Sequence, residues 1–217
     1  MSIEHKEIAA IRADYSKSAL NESTMLNSPI EQFVKWFDEA IHAEVMEPTA
    51  MVVSSVSKQG QPSSRVVLLK DIKQDGFSFF TNYDSRKGRE LIDNPLISAL
   101  FFWPELQRQV RIEAAVEKLP AEESSEYFAS RPRGSQIGAI ASPQSEEISD
   151  REVLLHRVAQ VEKNWDGVIE IPRPDHWGGF FLRPSRIEFW QGRSNRLHDR
   201  IVYVRENANW IMKRLAP

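Results

Sequence analysis

The first regular pattern of apolar residues along the chain is helical. Ser28 can cap the first turn of a helix, Pro29 suits its first position, and Glu31 completes a capping box with Ser28. The apolar residues that follow recur at the spacing of one helix face: Ile30, Phe33, Val34, Phe37 and Ile41. The pattern therefore predicts a helix from Ser28 onward that buries this face in the core.

After Pro48 the pattern changes to short runs rich in β-branched and aromatic residues. Turn-forming segments, KQGQP and KQDG, separate the first three runs, which are AMVVSSV, RVVLLKDI and FSFFTN. These runs predict a meander of antiparallel strands. A short helix is predicted from Ser85 to Asp93, and Asn94-Pro95 ends it. ISALFFW and QVRIEAAVEK return to strand, and one face of the second run carries Val110, Ile112, Ala114 and Val116.

The rest of the chain predicts helices followed by strands. Residues 120–163 are helical and acidic, with breaks at Pro132 and Pro143 and a second capping box at Ser149 and Glu152. Four strand-like runs end the chain: GGFFLRP, RIEFWQG, RIVYVRE and NWIMKRL. The last two are predicted to form a hairpin through residues 206–209.

The order of these elements favours a mainly β fold with peripheral helices. Roughly eight short strands predict a closed or nearly closed antiparallel β-barrel, because closure removes exposed strand edges. A doubly wound parallel sheet is the weaker alternative, because strands and helices do not alternate regularly. The segment from 120 to 163 is then a helical insertion among strands rather than a separate domain.

Length and composition narrow the class of protein. The chain has 217 residues, 41% of them hydrophobic, and a formal net charge of -3, which predicts one ordinary soluble domain or at most a compact pair. The lack of cysteine excludes thiolate nucleophiles, iron–sulfur clusters and thiolate zinc sites. The five histidines are scattered and form no HExxH motif, so we predict no metal site.

The chain also lacks the patterns of membrane and secreted proteins. No apolar run reaches the roughly 18 to 20 residues that span a bilayer, and the N-terminus does not read as a secretory signal. A cytoplasmic location without a membrane partner is therefore expected. Mild net acidity argues against nonspecific nucleic-acid binding by the whole chain, although it does not exclude a local basic site.

Positive charge is concentrated between residues 65 and 89. This segment holds six basic residues, Arg65, Lys70, Lys73, Arg86, Lys87 and Arg89, against three acidic ones, Asp71, Asp75 and Asp84. Thr81 and Ser85 lie at the following strand end and turn, where hydroxyls, a helix N-terminus and cations can bind a phosphate. A solvated basic face of a sheet explains the same pattern equally well.

A second group of candidate residues surrounds a Pro-Gly turn. Tyr127, Arg131, Arg133 and Ser135 would offer a phosphate monoester a phenol, two guanidinium groups and a hydroxyl. Arginines that complement the dipole at a helix C-terminus are the more ordinary explanation.

The third group lies in IEFWQGRSNRLHDR, residues 187–200. Arg196, His198 and Arg200 alternate, so on a strand all three would share one face, and Trp190 would supply an aromatic wall. Three cationic or titratable groups on one face favour an anionic or π-rich ligand against them. A buried ion-pair network with Glu188 and Asp199 is the alternative.

These segments resemble a known family, the pyridoxine/pyridoxamine 5′-phosphate oxidases, which are flavin enzymes that make pyridoxal 5′-phosphate. The resemblance runs from about Ile11 to Pro217. Its motifs are RVVLLK (65–70), SRPRGSQIGA (130–139) with Gln144-Ser145, and IEFWQGRSNRLHDR with the terminal RLAP. It implies an antiparallel FMN-binding split barrel of Greek-key type and a homodimer that binds FMN across the subunit interface.

The resemblance also implies the reaction. Pyridoxamine 5′-phosphate and pyridoxine 5′-phosphate would be oxidised by dioxygen to pyridoxal 5′-phosphate, with release of hydrogen peroxide and, from the amine, ammonia. This is a step of vitamin B6 biosynthesis and salvage. Residues 1–27 would cover the substrate site, and residues 28–217 would form a single domain.

Each residue that matches a motif acquires an implied role. The flavin would be bound by Arg65, Val66, Val67, Leu68, Leu69, Lys70, Phe80, Thr81, Arg86, Lys87, Gln109, Gln144, Ser145, Trp190 and Arg200. The substrate would be bound by Arg12, Ala13, Asp14, Tyr15, Lys70, Tyr127, Arg131, Ser135, Arg196, Leu197 and His198. Of these, Arg196 and His198 would contact the pyridine ring as the catalytic residues.

Two other functions stay open from the sequence. A split-barrel protein could bind a flavin or a phosphate ligand without oxidase activity, because fold does not fix function. The groups at 127–135 and 196–198 discriminate between these functions, since a flavin binder would not need a second phosphate site. Single-stranded nucleic-acid binding through basic and aromatic strand faces would require an affinity that falls steeply with salt.

Overall fold

A computed structural model describes residues 14–217 of the chain. Within them the strands are β1 (Ala50–Val56), β2 (Pro62–Leu68), β3 (Asp71–Lys73), β4 (Gly76–Asn82), β5 (Leu96–Trp103), β6 (Arg108–Lys118), β7 (Trp177–Gln191), β8 (Asp199–Glu206) and β9 (Asn209–Leu215). The α-helices are α1 (Pro29–His42), α2 (Arg86–Asp93), α3 (Ala121–Ser130), α4 (Arg133–Ala141) and α5 (Arg151–Asn164). Short 3-10 turns occur at Glu22–Thr24, Pro104–Leu106 and Ser194–Arg196. Arg12 and Ala13, two of the predicted substrate-binding residues, lie outside the described residues.

The nine strands belong to one sheet. Its main order is β2-β1-β5-β6-β7-β4-β3; β8 pairs with β7, and β9 pairs with β8. The pairs β1–β2, β3–β4, β4–β7, β7–β8 and β8–β9 are all antiparallel. This architecture confirms the predicted mainly β class with peripheral helices.

The chain divides into two compact units. The first comprises the described residues up to Pro48 together with Leu100–Ile112 and Arg186–Pro217. The second comprises Thr49–Ala99 and Glu113–Ser185. Strands β5, β6 and β7 contribute residues to both units, and each unit is described separately below.

In the first unit, α1 begins where the sequence predicts. Ser28 Oγ accepts a hydrogen bond from the backbone N–H of Glu31 at 3.3 Å, and Pro29 occupies the first helical position. Phe33 is fully buried, and its ring centroid lies 4.9 Å from that of Phe101 and 6.0 Å from that of Trp103. The cap and the start of the helix are therefore confirmed.

The buried face of α1 differs in part from the prediction. Val34 and Ile41 were expected in the core, but their exposed fractions are 38% and 50%. The buried stripe instead runs through Ile30, Phe33, Trp36 and Ala40. Trp36, which the predicted apolar face did not include, therefore belongs to the buried face. A 3.6-residue repeat places residues three and four apart on one face, and the sequence alone does not decide where the edge of that face lies.

Strands β8 and β9 form the predicted hairpin in the first unit. Glu206 pairs with Asn209 at its end, and Asn207 occupies the left-handed region at φ 56°. Asparagine tolerates this conformation better than other residues with a side chain.

In the second unit, the run RVVLLKDI was predicted as one strand and is two. Strand β2 ends at Leu68, after which the Leu69 N–H donates to Thr49 O at 2.8 Å and the Lys70 N–H donates to Ser78 O at 2.9 Å. The chain thus changes partner from the β1 side to β4 at this point. The sequence pattern does not show this change, because a change of backbone hydrogen-bond partner leaves no mark on side-chain hydrophobicity.

Two other boundaries differ from the prediction. GGFFLRP and RIEFWQG form the single strand β7, and Pro184 lies between the segment paired with β4, which ends at Leu182, and the segment paired with β8, which begins at Arg186. Pro184 lies outside the residues paired with β4 and with β8, so neither of these two ladders uses its missing N–H. Helix α5 is capped by Asp150, whose carboxylate accepts from the Val153 N–H at 3.1 Å, rather than by Ser149.

Among the described residues, no helix is both long and apolar enough to cross a membrane.

Replacing Phe33 by alanine should destabilise the protein much more than replacing Val34. Phe33→Ala removes a fully buried ring and should lower the free energy of unfolding by about 3 to 5 kcal/mol. Val34→Ala, one residue further on the same helix, should change it by about 0.5 kcal/mol or less because Val34 is partly exposed. Urea denaturation at a fixed protein concentration measures both, and equal losses would contradict the observed helix orientation.

Candidate functional site

The second unit contains a cavity of about 640 Å³. This volume lies within the usual range for small-molecule sites, roughly 300 to 1,000 Å³. Twelve of the predicted binding residues line it: Arg65, Val66, Val67, Leu68, Lys70, Phe80, Thr81, Lys87, Tyr127, Arg131, Ser135 and Gln144. The structure therefore brings together residues from β2, β4, α2, α3 and α4 that are up to 79 positions apart, from Arg65 to Gln144.

One end of the cavity holds a buried lysine. Lys87 Nζ donates to Gln144 Oε1 at 2.7 Å and to Ser85 Oγ at 3.2 Å, and Thr81 Oγ1 donates to the same Gln144 oxygen at 3.2 Å. Burial lowers the pKa of Lys87 to about 8, and the positive charge of Arg65 adds to the effect. An anion bound beside this amine would favour its protonated form.

The tight turn before α2 places Lys87 at the cavity. Ser85 caps α2, because its Oγ accepts from the Gly88 N–H at 3.2 Å. A Cβ on Gly88 would lie 2.2 Å from Tyr83 O, so only glycine fits at this position. Arg86, on the same first turn, does not line the cavity, and its Nε donates to Glu90 Oε1 at 2.8 Å.

An aromatic stack forms another wall of the cavity. The Phe80 ring stacks on Tyr127 with centroids 3.9 Å apart and planes at 17°, and on Trp177 at 5.5 Å and 12°. The Arg131 guanidinium lies over the Trp177 ring, 4.6 Å from its centroid. These contacts hold the three rings nearly parallel to one another with a cation beside them, which suits a planar ligand.

Arg131 also carries an unsatisfied donor. Its Nη1 atom is buried and has no hydrogen-bond partner among the described residues. Burial lowers the pKa of Arg131, with an opposing effect from Tyr127. Because a buried guanidinium nitrogen without an acceptor is costly, an acceptor supplied by a ligand in the cavity would stabilise it.

Arg133, grouped with Arg131 by the sequence, has a structural role. Its guanidinium donates to the carbonyl oxygens of Trp165 at 2.5 Å and Val168 at 2.7 Å. Trp165 follows the last turn of α5, so Arg133, the first residue of α4, binds carbonyl oxygens at the C-terminal end of α5 rather than at the end of the helix before it.

Sequence reasoning missed five residues that line the cavity: Asn82, Gly138, Ala139, Ser142 and Trp177. Trp177 is the first residue of β7 and directly precedes the predicted run GGFFLRP, which does not include it. Of the residues assigned to the flavin, Leu69 and Ser145 are not among those that line the cavity; Leu69 is buried and Ser145 has φ 74°. Their roles stay predictions.

A separate cluster in the first unit contains predicted site residues. Trp190 lies 4.6 Å from His198 and 5.9 Å from Tyr15 between ring centroids. His198 Nδ1 accepts from the backbone N–H of Arg193 at 3.1 Å. With Nδ1 as the acceptor, the neutral imidazole carries its proton on Nε2 and can donate it to a ligand.

The residues before β8 form a turn, so the predicted strand alternation of Arg196, His198 and Arg200 is wrong. Asn195 and Arg196 have φ values of 57° and 61°, and β8 begins only at Asp199. Left-handed residues change the chain direction, so the three side chains do not share a strand face. Such strained conformations cluster at ligand sites. Arg196 and Leu197 are exposed, and no hydrogen bond to the Arg196 guanidinium is found within residues 14–217.

Arg200 belongs to an ion pair, as the alternative explanation held. Its Nε donates to Glu188 Oε1 at 2.8 Å and its Nη2 to Glu188 Oε2 at 3.1 Å. Asp199 accepts from the Leu20 N–H at 3.0 Å and pairs with Arg193 and Arg214. Gln109, the other flavin candidate of this unit, lies on β6 and is half-buried.

The first described residues lie against the same loop. Ser194 Oγ donates to Asp14 Oδ2 at 3.1 Å and contacts Tyr15 O at 3.2 Å. A Cβ on Gly192 would lie 2.8 Å from Tyr15 side-chain atoms, so glycine is needed for this close approach. Asp14 and Tyr15 are thus placed beside the loop that carries Arg196 and His198.

The lining of the cavity fits a phosphorylated planar ligand such as FMN. Phosphate oxygens can be bound by the buried lysine and by the guanidinium nitrogen that has no acceptor in the described residues. The stacked rings and the apolar strand 66–68 can lie along a ring system. Among the described residues, no group of three histidine, aspartate or glutamate side chains could hold a metal ion.

Comparison with known proteins agrees with the predicted motifs. The family profile described as "Pyridoxamine 5'-phosphate oxidase" matches residues 37–165, and the profile "Pyridoxine 5'-phosphate oxidase C-terminal dimerisation region" matches residues 177–217. The chain is 54% identical over 211 residues to a pyridoxine/pyridoxamine 5'-phosphate oxidase of Herminiimonas arsenicoxydans. The aligned region covers 97% of this chain and 99% of the relative. It is 52% identical over 211 residues to the protein of that name from Haemophilus influenzae, covering 97% and 100%.

Solved structures agree with the fold. The crystal structure of PhzG from Burkholderia lata, in complex with tetrahydrophenazine-1-carboxylic acid, superposes with a TM-score of 0.87 at 33% identity, covering 93% of this chain and 100% of that one. A pyridoxamine 5'-phosphate oxidase-related, FMN binding protein from Nostoc punctiforme gives a TM-score of 0.69 at 13% identity, covering 89% and 100%. The split-barrel fold is therefore confirmed. With two family profiles and full-length relatives in agreement, the chain belongs to the pyridoxine/pyridoxamine 5′-phosphate oxidase family.

Proposed function

We propose that this chain is an FMN-dependent oxidase of pyridoxamine 5′-phosphate and pyridoxine 5′-phosphate. The alcohol and dioxygen give pyridoxal 5′-phosphate and hydrogen peroxide; the amine, dioxygen and water give the same products and ammonia. Bound FMN supplies the two-electron acceptor that dioxygen reoxidises. The observation that carries the proposal is the cavity of the second unit, where stacked rings wall a space lined by Lys87 and by Arg131, whose Nη1 has no partner within the described part of the chain.

The cofactor phosphate is assigned to the lysine end of the cavity. Lys87 and Arg65 both line it, and both are held by neighbouring hydrogen bonds before any ligand arrives. The strand 66–68 then lies along the flavin ring, and Thr81 and Gln144 contact its polar edge. Arg86 acts indirectly, because its guanidinium pairs with Glu90 outside the cavity.

The substrate phosphate is assigned to Lys70, Tyr127, Arg131 and Ser135. Arg131 supplies the Nη1 atom that has no partner among residues 14–217, and its guanidinium lies over the Trp177 ring. A planar cation that is already oriented loses little freedom when it binds a phosphate. Trp177 thereby supports the substrate site without an assigned contact of its own.

The reacting ring of the substrate is assigned to Arg196 and His198. His198 presents Nε2–H as a donor because its Nδ1 accepts from the Arg193 N–H. Arg196 adds positive charge beside the ring, and both residues orient the substrate rather than serve as obligate general bases. Asp14 and Tyr15, which lie beside the loop of Arg196 and His198, are assigned to cover the site.

The chain carries the family's C-terminal dimerisation region at residues 177–217, which supports a homodimer. We place the FMN sites at the dimer interface, as the resemblance implies. A homodimer can supply the cavity from one subunit and the His198 loop from the other. The division into residues 1–27 and 28–217 and the cytoplasmic location stay predictions.

The alternative, a flavin-binding protein without oxidase activity, is not favoured. Tyr127, Arg131 and Ser135 line the cavity in addition to Lys87 and Arg65, and a protein that binds only a flavin would not need this second set of phosphate donors.

Purified protein tests the proposed function directly. Denaturation should release FMN, and the native protein in air should convert pyridoxine 5′-phosphate to pyridoxal 5′-phosphate with one hydrogen peroxide per aldehyde. Absorbance of the aldehyde and a peroxidase-coupled assay measure the two products. Bound FMN without any aldehyde would instead support the flavin-binding alternative.

The affinity for FMN should depend on the protonation of Lys87. Its pKa of about 8 in the flavin-free protein leaves the amine charged at pH 7 and neutral at pH 9. A phosphate is attracted by the charged form, so the dissociation constant should rise by up to about tenfold per pH unit above pH 8. Titration of flavin-free protein with FMN measures it.

Lys87→Met should bind FMN weakly, with no step between pH 7 and 9. The matched control is Lys118→Met, because Lys118 lies over the Tyr83 ring, 4.2 Å from its centroid, and does not line the cavity. The control should behave like the wild type. A pH step that survives in Lys87→Met would remove this lysine from the phosphate site.

Mixed dimers test the interface. Arg131→Ala and Arg196→Ala should each lower kcat/KM by at least about 100-fold, with FMN retained in Arg196→Ala. In the proposed dimer, each site takes Arg131 from one subunit and Arg196 from the other. A co-expressed, purified dimer of the two variants then has one site with both arginines and one site with neither, so it should recover about half of the wild-type activity. Absence of recovery would place both arginines of a site in one subunit. Arg205→Ala, an exposed arginine on β8, is the control and should stay fully active.

A further inference from the structure

We propose that Glu90 is a positioning residue for the FMN phosphate, acting through Ser55 and Ser63 on Arg65. This inference rests on the proposed function, since it takes the cavity as the FMN site. Glu90 itself does not line the cavity and was not a candidate from the sequence.

Glu90 lies on α2 under the cavity and is almost completely buried, with 6% of its surface exposed. Its Oε2 accepts from Ser55 Oγ at 2.5 Å and from Ser63 Oγ at 2.7 Å, and its Oε1 accepts from Arg86 Nε at 2.8 Å. Three hydrogen bonds therefore hold this buried carboxylate in one orientation.

The sheet register explains why two serines meet this carboxylate. Ser55 on β1 and Ser63 on β2 are directly opposite each other in the antiparallel pair. Arg65 is two residues after Ser63, so its side chain leaves the same face of β2. The three side chains therefore lie together on the face that meets Glu90.

Ser55 and Ser63 connect Glu90 to Arg65 by hydrogen bonds. Each hydroxyl has one proton, which it donates to Glu90, so that its lone pairs are left for Arg65. Arg65 Nη1 donates to Ser55 Oγ at 2.7 Å and to Ser63 O at 3.0 Å, and Nη2 donates to Ser63 Oγ at 2.5 Å. Without the carboxylate both hydroxyls are free to rotate, and the guanidinium keeps the carbonyl oxygens of Val53 and Ser63 but loses its two oriented hydroxyl acceptors.

The negative charge of Glu90 also supports this role, because three cations lie near it. Glu90 lies 3.5 Å from Arg65 Nη2 and within hydrogen-bond distance of Arg86. Burial raises the pKa of Glu90, but hydrogen bonds from Ser55, Ser63 and Arg86 outweigh it and lower the pKa to about 2. The carboxylate is therefore ionised at any pH at which the protein works. It offsets the repulsion among Arg65, Arg86 and Lys87 before a phosphate is bound.

Removal of the carboxylate has two opposite effects on an incoming phosphate. The lost negative charge would strengthen phosphate binding if the cations kept their places. The lost hydrogen bonds would weaken it, because Arg65 and Arg86 would separate from each other and from Lys87. We infer that geometry dominates, since charge-assisted hydrogen bonds to phosphate depend strongly on direction.

The test compares FMN with riboflavin, which has the same ring system but no phosphate. In flavin-free Glu90→Gln, titrated by flavin fluorescence quenching, FMN affinity should fall at least about tenfold, while riboflavin affinity stays within about twofold. A general loss of structure would lower both affinities, and a purely electrostatic role would raise that of FMN. Either result would overturn the inference.

Two further variants make the test specific. Glu39→Gln removes a carboxylate that pairs with Arg108 in the first unit, and it should leave both flavin affinities unchanged. Ser63→Ala keeps the carboxylate but removes one link to Arg65, and it should lower FMN affinity selectively, by less than Glu90→Gln. Ser63→Ala also carries the test if Glu90→Gln does not fold, and equal binding by Ser63→Ala and wild type would then refute the inference.

The wild-type protein separates this inference from the proposed function. If the wild type binds FMN no better than riboflavin, the assignment of the phosphate site is wrong. If the wild type prefers FMN and Glu90→Gln retains that preference, only the role of Glu90 is wrong.

Discussion

Positive charge that is withdrawn from water has to be compensated, and the cavity of the second unit is organised around this requirement. Lys87 and Arg131 are both buried enough that their pKa values are lowered, and Arg131 Nη1 has no acceptor among the described residues. In the ligand-free protein, the burial of these two cations is unfavourable. An anion in the cavity removes the cost, so the same arrangement that is unfavourable in the free protein favours a phosphorylated ligand.

Partial compensation is already built into the unit. Gln144 accepts from Lys87, the Trp177 ring lies under Arg131, and Glu90 with its two serines holds Arg65. Each contact leaves the cation charged and restricts its direction. Phosphate binding therefore requires little reorganisation, which is the main advantage of a site built on strands and a capped helix.

The first unit has a different task, which is to hold an imidazole and an exposed arginine on a short loop. The loop is held at both ends: Arg193 donates to His198 from its backbone, and Asp199 begins β8 with bonds to Leu20, Arg193 and Arg214. Two left-handed residues lie between these points. The strain is tolerated because the ends are fixed, and it turns Arg196 outward rather than into the sheet.

Much of this could be predicted from the sequence, and the failures have common physical causes. Alternating and helical periodicities gave β1, β4, β6, α1 and the β8–β9 hairpin, because burial on one face is a local property of the pattern. Strand breaks and joins, as at Leu69-Lys70 and Pro184, depend on which partner the backbone bonds, and side-chain hydrophobicity does not record that. The left-handed conformation of Asn195 and Arg196 was not predicted for the same reason, because the alternating charged residues matched the pattern of a strand.

For the candidate site, the sequence by itself determined the chemistry: three groups of basic residues, with an aromatic residue and a histidine in the third, and the family motifs that contain them. Only the tertiary structure decided which members share a space. It separated Arg131, in the cavity, from Arg133, on a helix end, and it paired Arg200 with Glu188. It also added Trp177 and Glu90, whose contributions are contacts to other side chains. The physical reason is that charge and ring type belong to a residue, whereas desolvation and hydrogen-bond direction belong to its surroundings in the fold.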